Sequence, residues 1–197
     1  MTKFVQPVTL SGQHATLAPL SAEHLPGLRE AAADGELFRL WYTSVPTPEG
    51  MAAEIERRLG RQAQDSMQPF TVLDADGRVA GMTTYMNIDG KNRRVEIGST
   101  WYAQRVQRTA LNTECKLMLL RHAFETLDCI AVEFRTHWMN HQSRAAIARL
   151  GAKQDGVLRN HQRMPDGSFR DTVVFSIIAS EWPTVRAHLQ YQLERPR

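Results

Sequence analysis

The spacing of apolar and polar positions changes several times along the chain, and each change marks an element. From Gln13 to Leu20 the apolar residues Ala15 and Leu17, with Pro19 next in the series, recur at every second position, which predicts a short strand. Ser21 offers an N-cap hydroxyl to a helix reaching Ala33, weakened by Pro26 and Gly27. Between Gly35 and Pro46 the periodicity lapses into a loop carrying Phe38, Leu40, Trp41 and Tyr42. Thr47, Pro48 and Glu49 then combine a capping hydroxyl, a proline at the first helical position and an early acid. A second helix is expected from there to Gln64.

Three strands follow, Pro69 to Asp74, Arg78 to Asn87 and Arg94 to Tyr102, separated by turn residues at Asp76-Gly77 and Asp89-Gly90-Lys91-Asn92. Strict alternation in the third places Glu96, Gly98, Thr100 and Tyr102 on one face and Val95, Ile97, Ser99 and Trp101 on the other. A polar stretch, Ala103 to Leu111, leads into a helix starting near Asn112, with Leu117, Leu120, Phe124 and Leu127 as its apolar stripe. Ile130 to Thr136 is a further strand. Asn140 caps a helix over Ala145 to Leu150 that Gly151 ends. Val157 to Met164 and Phe169 to Ile178 form a hairpin about Asp166-Gly167, and Ser180 to Leu193 is a closing helix. A meander followed by strand–helix–strand implies an α/β (α+β) domain, a mixed sheet with helices on both faces and a parallel pairing inside Arg94–Thr136.

Composition narrows the function classes. A chain of 197 residues suffices for one substantial core, so a single domain over 1–197 is expected. Lys and Arg number 24 against 21 Asp and Glu, and no basic run concentrates the net charge of +3, so nothing calls for a nucleic-acid partner. No apolar run approaches the roughly 20 residues of a membrane helix, and the N-terminal residues form no apolar leader. Cys115 and Cys129, like His137, His141 and His161, lack metal-ligand spacing. A cytoplasmic protein without a membrane or metal partner is the expectation.

Candidate chemistry concentrates where the strand ending at Tyr102 feeds the next helix. A helix N-terminus behind a short polar turn presents free N–H groups and the positive end of the dipole, a site for a pyrophosphate or simply for water. Gln107-Arg108-Thr109-Ala110-Leu111-Asn112 fills that turn with small or donor-bearing side chains. Downstream, Asn140, Ser143, Ile147 and Gly151 follow the next strand.

Together these segments resemble the Gcn5-related N-acetyltransferase (GNAT) superfamily, whose members use acyl-coenzyme A. Its loop reads Q/R-x-x-G-x-G/A; Gln107 matches the first position, with Ala110 and Asn112 standing where glycine, and glycine or alanine, are usual. The Asn140–Ser143–Gly151 stretch is similar to the segment that follows the superfamily's fifth strand, and Ile147 takes the place of a tyrosine that often protonates the thiolate. That feature, with Arg144 to Ala152, Gly156 to Arg159 and Asp171 to Val173, resembles the branch that acetylates ribosomal-protein N-termini.

The resemblance implies a central, mostly antiparallel twisted sheet of about seven strands. It also implies an acetyl-CoA-dependent N-acetyltransferase acting by direct attack in a ternary complex, with CoA as product and no metal. The acceptor would be the amine of a protein N-terminus or a small molecule. Glu96 is then the candidate general base, against the plainer reading of a salt bridge to a neighbouring arginine. Ser143 is the candidate donor to the thiolate, against a cap or solvent-facing role.

Coenzyme contacts are expected from Gln107, Arg108, Thr109, Ala110, Leu111, Asn112, Asn140 and Arg144, and from backbone N–H groups around Trp101 and Tyr102. Trp41 and Tyr42 are the candidates for acceptor binding, with Phe38 as a core plug. Met82, Met86 and Met118 read as packing, Cys115 as buried, and Arg57, Arg58 and Arg61 as a solvated basic face. Trp182, Val185 and Leu189 are read as a dimer contact or as docked on the sheet. A non-catalytic acyl-CoA sensor and a ribosome-associated factor are the competing functions.

Overall fold

The computed structural model describes residues 3–195. Eight strands form one sheet in the order β1-β2-β3-β4-β5-β6-β8-β7. They are β1 Leu10–Ser11, β2 Ala15–Pro19, β3 Met67–Asp74, β4 Val79–Asp89, β5 Arg94–Tyr102, β6 Ala131–His137, β7 Lys153–Arg163 and β8 Phe169–Ile178. The strand beyond the expected seven is the two-residue β1, too short to show a period. Every pairing is antiparallel except β5 with β6, which the intervening helix makes parallel.

That one parallel pairing is brief. Arg94 pairs with Ala131, Val95 with Val132 and Glu96 with Glu133, and there it stops. Past Glu96, β5 keeps only β4 as its partner as far as Tyr102 opposite Gly81. Past Glu133, β6 keeps only β8 as far as His137 opposite Thr172. The two strands therefore part like the arms of a V, leaving facing backbone edges without ladder partners.

β5 also departs from the strict alternation expected of it. Its register against β4 shifts between the Met82–Trp101 and Thr84–Gly98 pairs, and Ser99 takes a left-handed φ of 47°. One extra residue reverses the parity of all that follows. Glu96 and Gly98 stay on the face of Met86 and Thr84. Thr100 crosses to the opposite face, hydrogen-bonded to Thr83 and Lys116, and Tyr102 lies beside Cys115. The four residues expected on one face are thus divided between two.

Among the described residues five α-helices cover the sheet: α1 Leu25–Ala33, α2 Met51–Ala63, α3 Leu111–Arg121, α4 His141–Arg149 and α5 Trp182–Glu194. α1 and α2 lie on one face, where Arg58 reaches Thr84. α3 lies on the other, where the Tyr85 hydroxyl donates to the Leu119 carbonyl. α1 starts later than expected because Ala22–His24 forms a separate 3₁₀ turn, which leaves Pro26 in the first turn of α1, where a missing N–H costs nothing. α2 starts after Thr47 has capped a turn through the Gly50 N–H.

α4 starts directly after Asn140, earlier than the apolar pattern suggested. Trp182, Val185 and Leu189 are buried within the chain. α5 packs on α3, Trp182 stacks on Phe124, and these residues form no dimer face. Leu37, rather than Phe38, packs against the core from its loop. Among the described residues no helix is long and apolar enough to cross a membrane.

Candidate active site

The V between β5 and β6 opens into a cleft of about 550 Å³ that passes through the sheet. β5 contributes Glu96 to Tyr102, β6 Phe134 to His137, and α4 Ser143, Ala146 and Ile147. Gly98 keeps the apex open: a Cβ there would sit 2.7 Å from Met86 Sδ and 3.0 Å from Glu96 Oε1.

On the α2 side the apex is polar. Glu96 is 5% exposed, and its Oε2 accepts a hydrogen bond from Asn87 Nδ2 at 2.7 Å and lies 3.5 Å from Arg135 Nε. Burial pushes the Glu96 carboxyl above its ordinary value, and Glu133 adds to that, while Asn87, Arg135 and Arg170 act against it. Arg135 in turn bonds Glu133, and Arg170 holds Thr172. Both expected partners of Glu96, the cleft and an arginine on the neighbouring strand, are present together.

Beside them His137 accepts from the Met139 N–H through Nδ1, which leaves the proton of a neutral ring on Nε2. Nε2 is buried without a hydrogen-bond partner. Burial, with Arg170, pushes this imidazole below its usual range, which favours the neutral ring, while Asp171 acts against it. Tyr42 lines the cleft next to it. Trp41 is 56% exposed and stands outside the lining, its ring edge-on to His137 at 5.1 Å.

On the α3 side the turn before the helix is arranged by its own residues. Gln107 donates to the Tyr102 carbonyl, and Arg108 takes the left-handed φ of 61°. Thr109 Oγ1 donates to the Val106 carbonyl and accepts from the Leu111 N–H, satisfying one of the helix's first donors. Ala110 has ordinary helical angles, so its backbone does not require the usual glycine.

Gln107, Arg108 and Asn112 line the cleft, whereas Thr109, Ala110 and Leu111 do not, and Leu111 is buried in the core. Across the cleft, Asn140 Oδ1 accepts from the Ser143 N–H at 3.0 Å, capping α4 and holding Ser143 at the lining. Arg144 stands elsewhere. Its guanidinium lies 4.1 Å from the Trp138 ring centroid and donates to the Trp138 carbonyl. Trp101 and Tyr102 both line the cleft, and the indole N–H of Trp101 is buried without a partner.

Several lining residues were not singled out as functional from the sequence. Arg58 is 2% exposed rather than solvated; it bonds Glu54 and Thr84 and approaches the Ser99 carbonyl. Glu54 four residues earlier is the signal that marks it as a paired cation. Met86, read as packing, lines the cleft, as do Asn87, Lys116 and Arg170. These positions follow from the bulge and the strand register, which local spacing does not carry.

Residues 14–153 match the acetyltransferase (GNAT) domain family, and the chain belongs to that family. A Bacillus subtilis (strain 168) protein, named provisionally as the ribosomal N-acetyltransferase YdaF, is 32% identical over 107 residues. That match covers 54% of this chain and 57% of the relative's length. The crystal structure of a T. thermophilus protein, described provisionally as an acetyltransferase, superposes with a TM-score of 0.84 at 35% identity, covering 96% of this chain and 98% of that one. A GCN5-related N-acetyltransferase from Brucella melitensis gives 0.83 at 31% identity over 96% of this chain and 86% of that one. The eight-stranded mixed sheet is thus an acetyltransferase fold.

Proposed function

We propose that the protein transfers an acetyl group from acetyl-CoA to a primary amine, most readily a protein N-terminal α-amine. The observation that carries this reading is the V between β5 and β6, with a buried carboxylate at its apex and a helix N-terminus at its mouth. The donor set suits a long ligand with an anionic end. The α3 turn with Arg108 would hold the phosphates, and the unpaired strand edges would hydrogen-bond the amide-bearing arm. When bound, acetyl-CoA supplies the acetyl group as an activated thioester.

The chain's own residues supply the rest. Glu96 takes the proton of the attacking amine, and its raised affinity for protons suits it to that exchange. Backbone N–H groups at the free edge of β5 hold the charge that grows on the carbonyl oxygen. Ser143, at the lining, would donate its hydroxyl proton to the departing sulfur, in the role left open by Ile147. An α-amine, with an ordinary pKa of about 7.7–8.0, asks less of Glu96 than a lysine at about 10.4. The name carried by YdaF supports a protein acceptor, and two buried free cysteines accord with the cytoplasm.

The test is thiol release from acetyl-CoA with peptides whose N-termini are free or blocked. Release with free α-amines and none with blocked ones is the expected result. Tight coenzyme binding without release to any amine would make the chain a sensor instead.

A further inference from the structure

Lys116 is a buried amine that the mechanism above does not use. It lies four residues after Asn112 on α3, so the two share one helix face, and both line the cleft. Lys116 is 7% exposed, and Nζ donates to Thr100 Oγ1 at 2.9 Å and to Thr83 Oγ1 at 3.4 Å. Its partner on β5, Thr100, lies two residues before Tyr102, whose carbonyl accepts from Gln107 of the turn.

Among the described residues no carboxylate lies within ion-pair distance of it. Glu114, on the same helix, is turned away to accept the N–H groups of Gln13, His14 and Ala15. The adjoining Cys115 thiol is pushed up to about 12 by burial and stays neutral, beside the equally neutral Tyr102 phenol. Thr83 and Thr100 are the polar groups the sheet presents, while Arg108 in the turn and Arg149 of α4, bonded to Thr113, are cations. A buried ammonium with two hydroxyls and no counter-charge is costly in the free protein.

We propose that Lys116 is the counter-cation for a phosphate group of the bound acyl-CoA, an internal anion subsite that the chain completes only with ligand in place. The proposal rests on the acetyl-CoA reading above. Burial lowers the free amine to about 8, so near that pH a part of the free protein is unprotonated. An anion beside Nζ raises the value again, and binding takes up a proton. Below pH 8 both free and bound forms are protonated and affinity is flat. As pH rises past 8, affinity falls by up to about tenfold per unit until the bound amine also deprotonates.

Calorimetric titration of acetyl-CoA at pH 8.5, in two buffers of different ionisation enthalpy, reads proton uptake in the unaltered protein. A parallel series at pH 7 compares acetyl-CoA with acetyl-pantetheine, which has no phosphate, on wild type, Lys116→Met and Lys116→Arg. The expected result is proton uptake in wild type. Lys116→Met should weaken acetyl-CoA about tenfold to a hundredfold, leave acetyl-pantetheine within about twofold, and show no pH dependence between 7 and 9. Lys116→Arg should retain the preference for the phosphate-bearing ligand.

Equal losses for both ligands, or absence of proton uptake in wild type, would overturn the proposal and leave the transferase reading standing. Failure of wild type to bind acetyl-CoA at all would overturn both.

Discussion

At the scale of single residues, Glu96 decides whether the cleft is a reaction site. Glu96→Gln keeps the shape and an acceptor for Asn87 but removes the base. Turnover should fall about a hundredfold or more while acetyl-CoA affinity is unchanged. In wild type, kcat/KM should rise with pH through a value above the ordinary carboxylate range, and the variant should lack that limb.

The same raised value fixes the sign of a stability effect. Below about pH 4 the carboxyl is protonated in folded and unfolded chains alike, and burial carries no penalty. As pH rises the unfolded chain ionises first and stability is lost. Glu96→Gln should therefore melt above wild type at pH 7, with the gap closing toward pH 4. Glu96 was legible through the resemblance, since strand parity gives it a face of β5 but no role. Lys116 was not, because α3 is buried on nearly all sides and its apolar stripe conceals an inward lysine. Arg58 was misread for a related reason: three arginines on one helix look solvated until register brings Thr84 and Ser99 to one of them.

At the scale of elements, the Ser99 bulge sets the geometry of β5. Ser99→Gly relieves the left-handed strain at some entropic cost and should stay within about 0.5 kcal/mol of wild type by denaturant unfolding. Ser99→Val places a β-branched residue there and should cost more than about 1 kcal/mol, with weakened coenzyme binding. Asn140→Ala removes the α4 cap and should cost about 1 kcal/mol while loosening the helix that carries Ser143.

Element order was readable from periodicity and turn residues, and β5 and β8 have the expected bounds. The bulge was not, because Gly98 beside it reads as one more position of an alternation that is unbroken in sequence. The start of α4 was missed because its first turn, from His141 to Arg144, is polar and only the Asn140 cap announces it.

At the scale of the whole molecule, the cleft exists because β5 and β6 each keep an outer partner while losing one another. Anything bound between them touches both halves of the sheet, so ligand binding should stabilise the entire fold rather than one element. Saturation with acetyl-CoA at about a hundred times its Kd should add about 2.7 kcal/mol, visible as a higher melting temperature. The fold was legible to the extent that sequence order fixes a mixed sheet. The V itself leaves no mark in the local sequence pattern, since it arises from where a parallel pairing stops.

The most direct measurement is a calorimetric titration of the purified protein with acetyl-CoA. Saturable binding of one molecule per chain, weakened by Arg108→Ala, would place the coenzyme in this cleft and make Glu96 the group to test next. No binding at millimolar coenzyme would contradict the account, leaving an acetyltransferase fold without the transfer reaction.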